Sequence, residues 1–404
     1  MSGQRLFCQL VKLALATTVV LGISGCNRKM ETHAESVNAA NKRWLSARSG
    51  LLLQSAQRMF DTGDLTQCER TLGEALSMDP GNAKLHTLSG RVALERGQLE
   101  RAYHRFQTAI ELDEALPDPY FFRGIVLERW QRYEQALESY QKAYELQADN
   151  VAYLLSMAEM HVALDRAEVA KELLESRMAY FDQNAGIRVA LAQLYTMSGD
   201  HERAARYLRE ASLLQPDDMS IVEELSLVLL ASKRYDDAIM HLKRLCEAPA
   251  YRERVDLQHA LASAYMHSGR LNEARERYLT ITRLNREDVQ AWAKLAEIAF
   301  ANNDLSGALH AANRAIALAP DQHQGYLVAG MVWQRRGATE QALAMFDQAA
   351  QAAPQEALPH ILRGLTFEQA GRRQEAIAAY NQALRIAPND QRAQRLLANV
   401  TTQQ

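Results

Sequence analysis

Four cysteines and eleven histidines are the side chains of this sequence best able to attack a carbonyl or hold a metal. Their spacing argues against both. No C-x-x-C, H-E-x-x-H, G-x-S-x-G or phosphate-binding G-x-x-x-x-G-K occurs in the sequence. His259 and His267 share one predicted helix face, but eight residues at the helical rise leave them about 12 Å apart, too far to share an ion. The chain is therefore expected to carry no metal, no cofactor and no catalytic group, and no region outside the repeats described below is large enough for a catalytic domain.

Cys26 is different, because its neighbours suit acylation. It closes the stretch VVLGISGCNRK, Val19 to Lys29. Arg5 and Lys12 precede an uncharged run from Leu13 to Ile23, about eleven residues where a bilayer span needs roughly twenty. A positive start, a short apolar middle and small residues at the end are the marks of a secretory signal. Ile23-Ser24-Gly25-Cys26 resembles the bacterial lipobox, which implies that the Cys26 thiol takes a diacylglyceryl group and becomes the first residue after cleavage. Several acyl chains, each methylene contributing about 0.8 kcal/mol, exceed what stable anchoring needs. Asn27 stands where an Asp would resemble an inner-membrane retention signal, so the expected location is the outer membrane of a Gram-negative cell, with the body in the periplasm.

The elements behind this anchor are set by a repeat. From Ser49 to Asp390 the sequence returns every 34 residues, ten times, with one two-residue slip at Glu253-Arg254. The units run 49–82, 83–116, 117–150, 151–184, 185–218, 219–252, 255–288, 289–322, 323–356 and 357–390. Apolar spacings of three and four on both sides of a Gly such as Gly371 predict two amphipathic helices and a tight turn. The eighth place is always small, as at Ala56, Gly90, Gly124, Ser226, Gly330 and Gly364. The twentieth is Ala in nine units and Cys68 in the first, which suits two backbones in close approach. Aromatic residues recur at the twenty-fourth place (Phe106, Tyr140, Tyr278, Phe346, Tyr380), and Pro at the thirty-second (Pro80, Pro216, Pro320, Pro354, Pro388) stops the second helix. These units resemble tetratricopeptide repeats over about 340 of the 404 residues. The resemblance implies an all-α, right-handed superhelical solenoid of about ten helix-turn-helix repeats.

Two units depart from the pattern. The fourth has Leu174 at the twenty-fourth place and Arg177 at the twenty-seventh, where Ala is usual, and the sixth has Leu245 there; altered curvature or a hinge is expected at these and at the slip. Residues 1–25 read as signal peptide, 26–48 as a lipidated tether with helix from about Ala34, and 391–404 as a capping helix with Leu396, Leu397 and Val400 on one side. Cys68 and Cys246 lie five units apart, tens of ångströms at the usual helix spacing, so they are expected to be unpaired.

The resemblance also implies a peptide-binding groove lined by the first helices. The second, fifth, ninth and twelfth places form one stripe, whose candidates are Phe121, Ile125, Glu297, Phe300, Leu327, Met331, Gln334, Leu358, Ile361 and Leu365. Over ten units the stripe holds seven acids (Asp118, Glu128, Glu159, Glu223, Asp256, Glu297, Glu368) against Lys84 and Arg91, predicting an apolar groove with an acidic tint. Expected partners are protein or peptide segments, apolar and weakly basic; the Lys, Asn and Arg set of chaperone-adaptor relatives is absent. The same apolar residues could instead pack between repeats. A formal charge of −3, which becomes −5 once Arg5 and Lys12 leave with the signal, offers no field to hold nucleic acid. No small-molecule substrate is expected. The function these features imply is an envelope scaffold, of the kind serving exopolysaccharide export, pilus assembly or peptidoglycan-enzyme complexes; the alternative is a periplasmic holdase for unfolded clients.

Overall fold

The computed structural model describes residues 33–402; residues 1–25 and Cys26, which carry the signal and lipid readings, lie outside them. Among the described residues there are helices and no strands, and no helix is long and apolar enough to cross a membrane. The chain divides into two compact units between Leu173 and Leu174. Each is an all-α solenoid in which helix pairs follow one another in chain order.

Each of the ten pairs is built from local signals. Asp64, Asn82, Asn150, Asn184, Asp200, Asp218, Asp288 and Asp304 precede a helix and accept a hydrogen bond from one of its first free N–H groups. The first helix of every pair ends at the fifteenth place in the left-handed region. Gly holds that place in six repeats, as at Gly337 (φ 75°), while Gln131, Asp165, Lys233 and Asn303 hold it with φ of 58–62°. An L side chain there is strained, and Gln131 is exposed. Gln131→Gly should therefore raise stability by about 0.5–1 kcal/mol, the relief of strain exceeding the added unfolded-state entropy. Urea unfolding of the variant measures it.

The crossing of the two helices is dry. All ten residues of the twentieth place, from Cys68 through Ala102 and Ala342 to Ala376, are 0% exposed. The Cys68 Sγ lies 3.2 Å from the Ala56 carbonyl oxygen, so the twentieth place of one helix meets the backbone at the eighth place of the other. The eighth place does more than admit backbone. A Cβ on Gly90, Gly124, Gly330 or Gly364 would fall 2.3–2.5 Å from a ring carbon of Phe106, Tyr140, Phe346 or Tyr380. In these four repeats the missing side chain is the seat of the aromatic ring sixteen residues on.

Successive pairs are joined by the third place of each first helix. Leu85 packs in one cluster with Leu72 and Ala75 of the preceding second helix. A Cβ on Gly325 would meet the Ile316 side chain at 2.8 Å and the Ala312 carbonyl at 3.0 Å, both on the preceding second helix, Leu305–Leu318. After the tenth pair, the helix Gln391–Thr402 repeats the contact, with Ala393 buried against Ala383.

The irregular places have structural counterparts. In the fourth repeat the second helix spans only Ala167–Arg177, 11 residues against the usual 14. It stops at the exposed Arg177, where seven other repeats bury Ala and the sixth and seventh bury Leu245 and Ile281. Leu174, 0% exposed, fills the aromatic's place. The leading segment and the first repeat share one continuous helix, His33–Asp61.

Candidate protein-binding site

Within the second unit, two of the apolar candidates are buried and the other four half-buried. Leu327 is 7% exposed, in a cluster with Tyr326, Ala342, Phe346 and Ala349, against which Met331 and Leu358 pack. Ile361 is 3% exposed among Ala357, Ala383 and Ala393, with Leu365 beside it. Leu327 and Ile361 are thus core rather than groove lining, packed on their own second helices and on the next helix along the chain, through Leu358 and Ala393. Phe300 is half-buried under the Arg335 guanidinium, 4.5 Å from its ring centre. Glu297 pairs with Lys294 at 2.7 Å, and Gln334 is half-buried. Within the first unit, Phe121 packs its half-buried ring on Tyr153, Tyr140 and Phe122, with centroids 4.9, 5.5 and 5.4 Å away. Ile125 is half-buried between two clusters.

The same reading of places does find an opening, in the first three repeats. A cavity of about 780 Å³ is lined there by Leu53, Gln57, Lys84, Thr87, Arg91 and Asp118, all at second, fifth or ninth places, and by their neighbours Gln54, Arg58, Leu88, Leu116, Pro117 and Gln147. Its apolar wall comes from Leu53, Leu88, Leu116 and Pro117. Its charge comes from three cations against one carboxylate, and the Asp118 carboxylate accepts a hydrogen bond from the Tyr153 hydroxyl at 2.9 Å. Arg91 stacks between Phe60 and Phe122, 4.4 and 4.9 Å from the ring centres, which fixes its guanidinium at the wall by cation–π attraction.

The expected acidic tint came from counting charges, and the fold spends most of those charges internally. Glu128 and Glu368 accept from the hydroxyls of Tyr140 and Tyr380 at 2.7 and 2.8 Å. Glu223 takes a two-pronged contact from Arg254, which also reaches Asp256. Burial, and Glu128 nearby, push the Glu159 carboxyl above its ordinary range. Lys84 and Arg91, the minority in the count, stand at the cavity. Sequence reasoning missed two features here. Arg254 is one of the two inserted residues of the slip, and it neutralises two stripe acids. Tyr at the twenty-fourth place occurs with Glu at the twelfth in the third and tenth repeats, a pairing visible in the sequence, whereas Tyr278 of the seventh stands with Met266.

The remaining chemistry-bearing side chains have separate structural partners. His259 Nε2 lies 2.9 Å from Asp288 Oδ2, while His267 stacks on Tyr235 at 4.7 Å. No group of three or more His, Cys, Asp or Glu able to hold a metal exists among the described residues. Cys68 and Cys246 are free and buried. Burial pushes both thiols up, Cys246 to about 11, which keeps them protonated and unreactive at neutral pH.

Family models described as tetratricopeptide repeat match residues 87–152, 166–225, 229–298 and 357–390, together more than half of the chain. The BBSome complex member bbs-4 of Caenorhabditis elegans is 26% identical over 195 residues, covering 45% of this chain and 42% of that protein. The chain thus spans less than half the length of this relative. Among solved structures, pilF of Pseudomonas aeruginosa shares 16% identity, covering 52% of this chain and 97% of its own, with a TM-score of 0.45. A tetratricopeptide repeat protein from Parabacteroides merdae shares 16% identity, covering 59% and 93%, with a TM-score of 0.43.

Proposed function

The chain belongs to the tetratricopeptide repeat family, and from that premise we propose that it is a non-catalytic, lipid-anchored periplasmic scaffold that gathers proteins of a bacterial envelope assembly. Proteins of this family bind protein or peptide partners. The address rests on the signal and lipobox resemblance ending at Cys26. The observation that carries the binding mode is the cavity of the first three repeats, where Arg58, Lys84 and Arg91 flank an apolar wall. Such a site suits an extended segment with apolar side chains and carboxylates, rather than the weakly basic partner that the charge count favoured. Each charge-assisted contact formed there contributes about 1.5–3 kcal/mol.

The test joins both halves. A photo-crosslinker at Gln54, exposed at the cavity, should capture one or a few discrete proteins in envelope fractions, whereas one at Leu213, 80% exposed, should not. Lys84→Glu with Arg58→Glu, both at exposed positions, should cut that capture by about 10- to 100-fold and leave the fold intact. Cys26→Ser should release the protein from membranes. Capture unchanged by the double reversal would sink the cavity reading, and a Cys26→Ser protein that still sediments with membranes would sink the anchor. A smear of many unfolded clients would favour a holdase.

A further inference from the structure

The described chain has two unlike ends. At the carboxyl end the helix Gln391–Thr402 covers the last repeat through Ala393, 0% exposed. At the amino end Leu51, the third place of the first repeat, is 68% exposed. In every other repeat the third place is buried, whether Leu85, Tyr153, Ile187, Ile221 or Leu257, or the small Gly325.

The exposed line continues up the 29-residue helix His33–Asp61. Trp44 is 55% exposed and Val37 52%, seven and fourteen residues before Leu51, and Ala40 and Ala47 between them are exposed as well. Below Leu51 the line turns polar. The tenth place is the exposed Arg58, where the next repeats bury Val92, Val126 and Met160. A further repeat stacked on this end would leave that guanidinium buried and unpaired, so the face is not made for one. It is centred instead on Trp44, with Val37 and Leu51 equally far on either side.

We propose that this line docks a second copy of the chain, the two leading helices pairing antiparallel about a two-fold axis at Trp44. Val37 of one copy then meets Leu51 of the other, so every large apolar side chain finds an apolar partner. A seven-residue spacing of large residues with Ala between them is a two-helix seam, narrower than the broad apolar face that a lipid surface takes. Charge selects the direction. A parallel pair would set Lys42, Arg43 and Arg48 each against its own copy, whereas the antiparallel pair sets Arg48 opposite Ala40 and Lys42 opposite Ser46. The Arg48 guanidinium already lies 5.4 Å from the Trp44 ring centre and pairs with Glu74 at 3.3 Å, which keeps that charge beside the seam rather than across it. The self-complementary patch closes as a dimer and stops there.

Sedimentation of the full chain in mild detergent should show a reversible dimer at tens of micromolar, roughly what a seam at the small end of stable interfaces supports. Trp44→Glu should weaken it at least about tenfold with helix content unchanged. Mixing Val37→Cys with Leu51→Cys protein should yield a mixed disulfide, while neither variant alone crosslinks, its two copies sitting about 21 Å apart in the antiparallel register. A wild-type chain that stays monomeric at about 100 µM would overturn the proposal. So would a disulfide formed by either variant alone, which reports parallel pairing. Trp44-dependent binding to phosphatidylethanolamine/phosphatidylglycerol vesicles without the mixed disulfide would assign the face to lipid instead. None of these readouts depends on the proposed cavity partner.

Discussion

Leu327→Ser with Ile361→Ser should unfold the last repeats of the chain, not merely weaken binding. The two side chains are 7% and 3% exposed and sit in different clusters, one closed by Phe346 and Ala349, the other by Ala383 and Ala393. Truncating a buried Leu or Ile costs about 2–5 kcal/mol, transfer plus cavity. Two such losses in separate clusters add to about 4–10 kcal/mol, which approaches the whole stability of an ordinary domain. The serine hydroxyls add little, because on a helix they can turn back to the carbonyl four residues earlier. Contacts in a solenoid run mainly between neighbours, so the loss should be confined to about residues 323–402. Hydrogen exchange by peptide mass would show it as lost protection over that stretch with protection kept in residues 83–173. Leu365→Ser, at a half-buried position, should cost less than either. Unchanged protection in the double variant would return Leu327 and Ile361 to the surface and reopen the groove at that end.

The reason these two residues were misjudged from the sequence is physical. A repeat read ten times fixes whatever each unit decides by itself. The twentieth place and the fifteenth-place turn depend on contacts within one pair of helices, and both were legible. Exposure of the fifth place depends on how closely the next first helix approaches and how large its side chains are. Leu53 opens onto a cavity while Leu327 and Ile361 are covered. Charge failed for the same reason. The partner of Glu128 is Tyr140, one helix away, and that of Glu223 is Arg254, 31 residues on. A count along one stripe sees the acids and not the hydroxyl or guanidinium that each one holds. The slip looked like a defect in the period, yet it delivers the arginine that holds two of those acids.

The packing of glycine against aromatic gives the second prediction, a coupling rather than a loss. Four repeats pair Gly at the eighth place with Phe or Tyr at the twenty-fourth; Ala56, Ala158, Ala192 and Ser226 pair with Leu72, Leu174, Leu208 and Leu242. In the ninth repeat a Cβ at Gly330 would lie 2.4 Å from Phe346 Cε1, whose ring is 0% exposed. Gly330→Ala should therefore cost about 1–3 kcal/mol from overpacking, less the roughly 1 kcal/mol that Ala contributes over Gly inside a helix. Phe346→Leu alone leaves the ring's seat half empty and should cost about 1–2 kcal/mol. Together the two changes rebuild the Ala and Leu combination that three other repeats already use, so the double variant should be more stable than the sum of the singles predicts, by about 1–3 kcal/mol. The seventh repeat holds Ala262 beside Tyr278, so methyl and ring can coexist where the helix spacing allows it. In the ninth repeat the ring carbons lie 2.4–2.9 Å from where the methyl would be, so ring or helix would have to shift to admit both. Urea midpoints for the four proteins of the cycle measure the coupling. Additive losses would mean that the ring does not sit in the glycine's space, and that the small eighth place serves only the approach of the backbones.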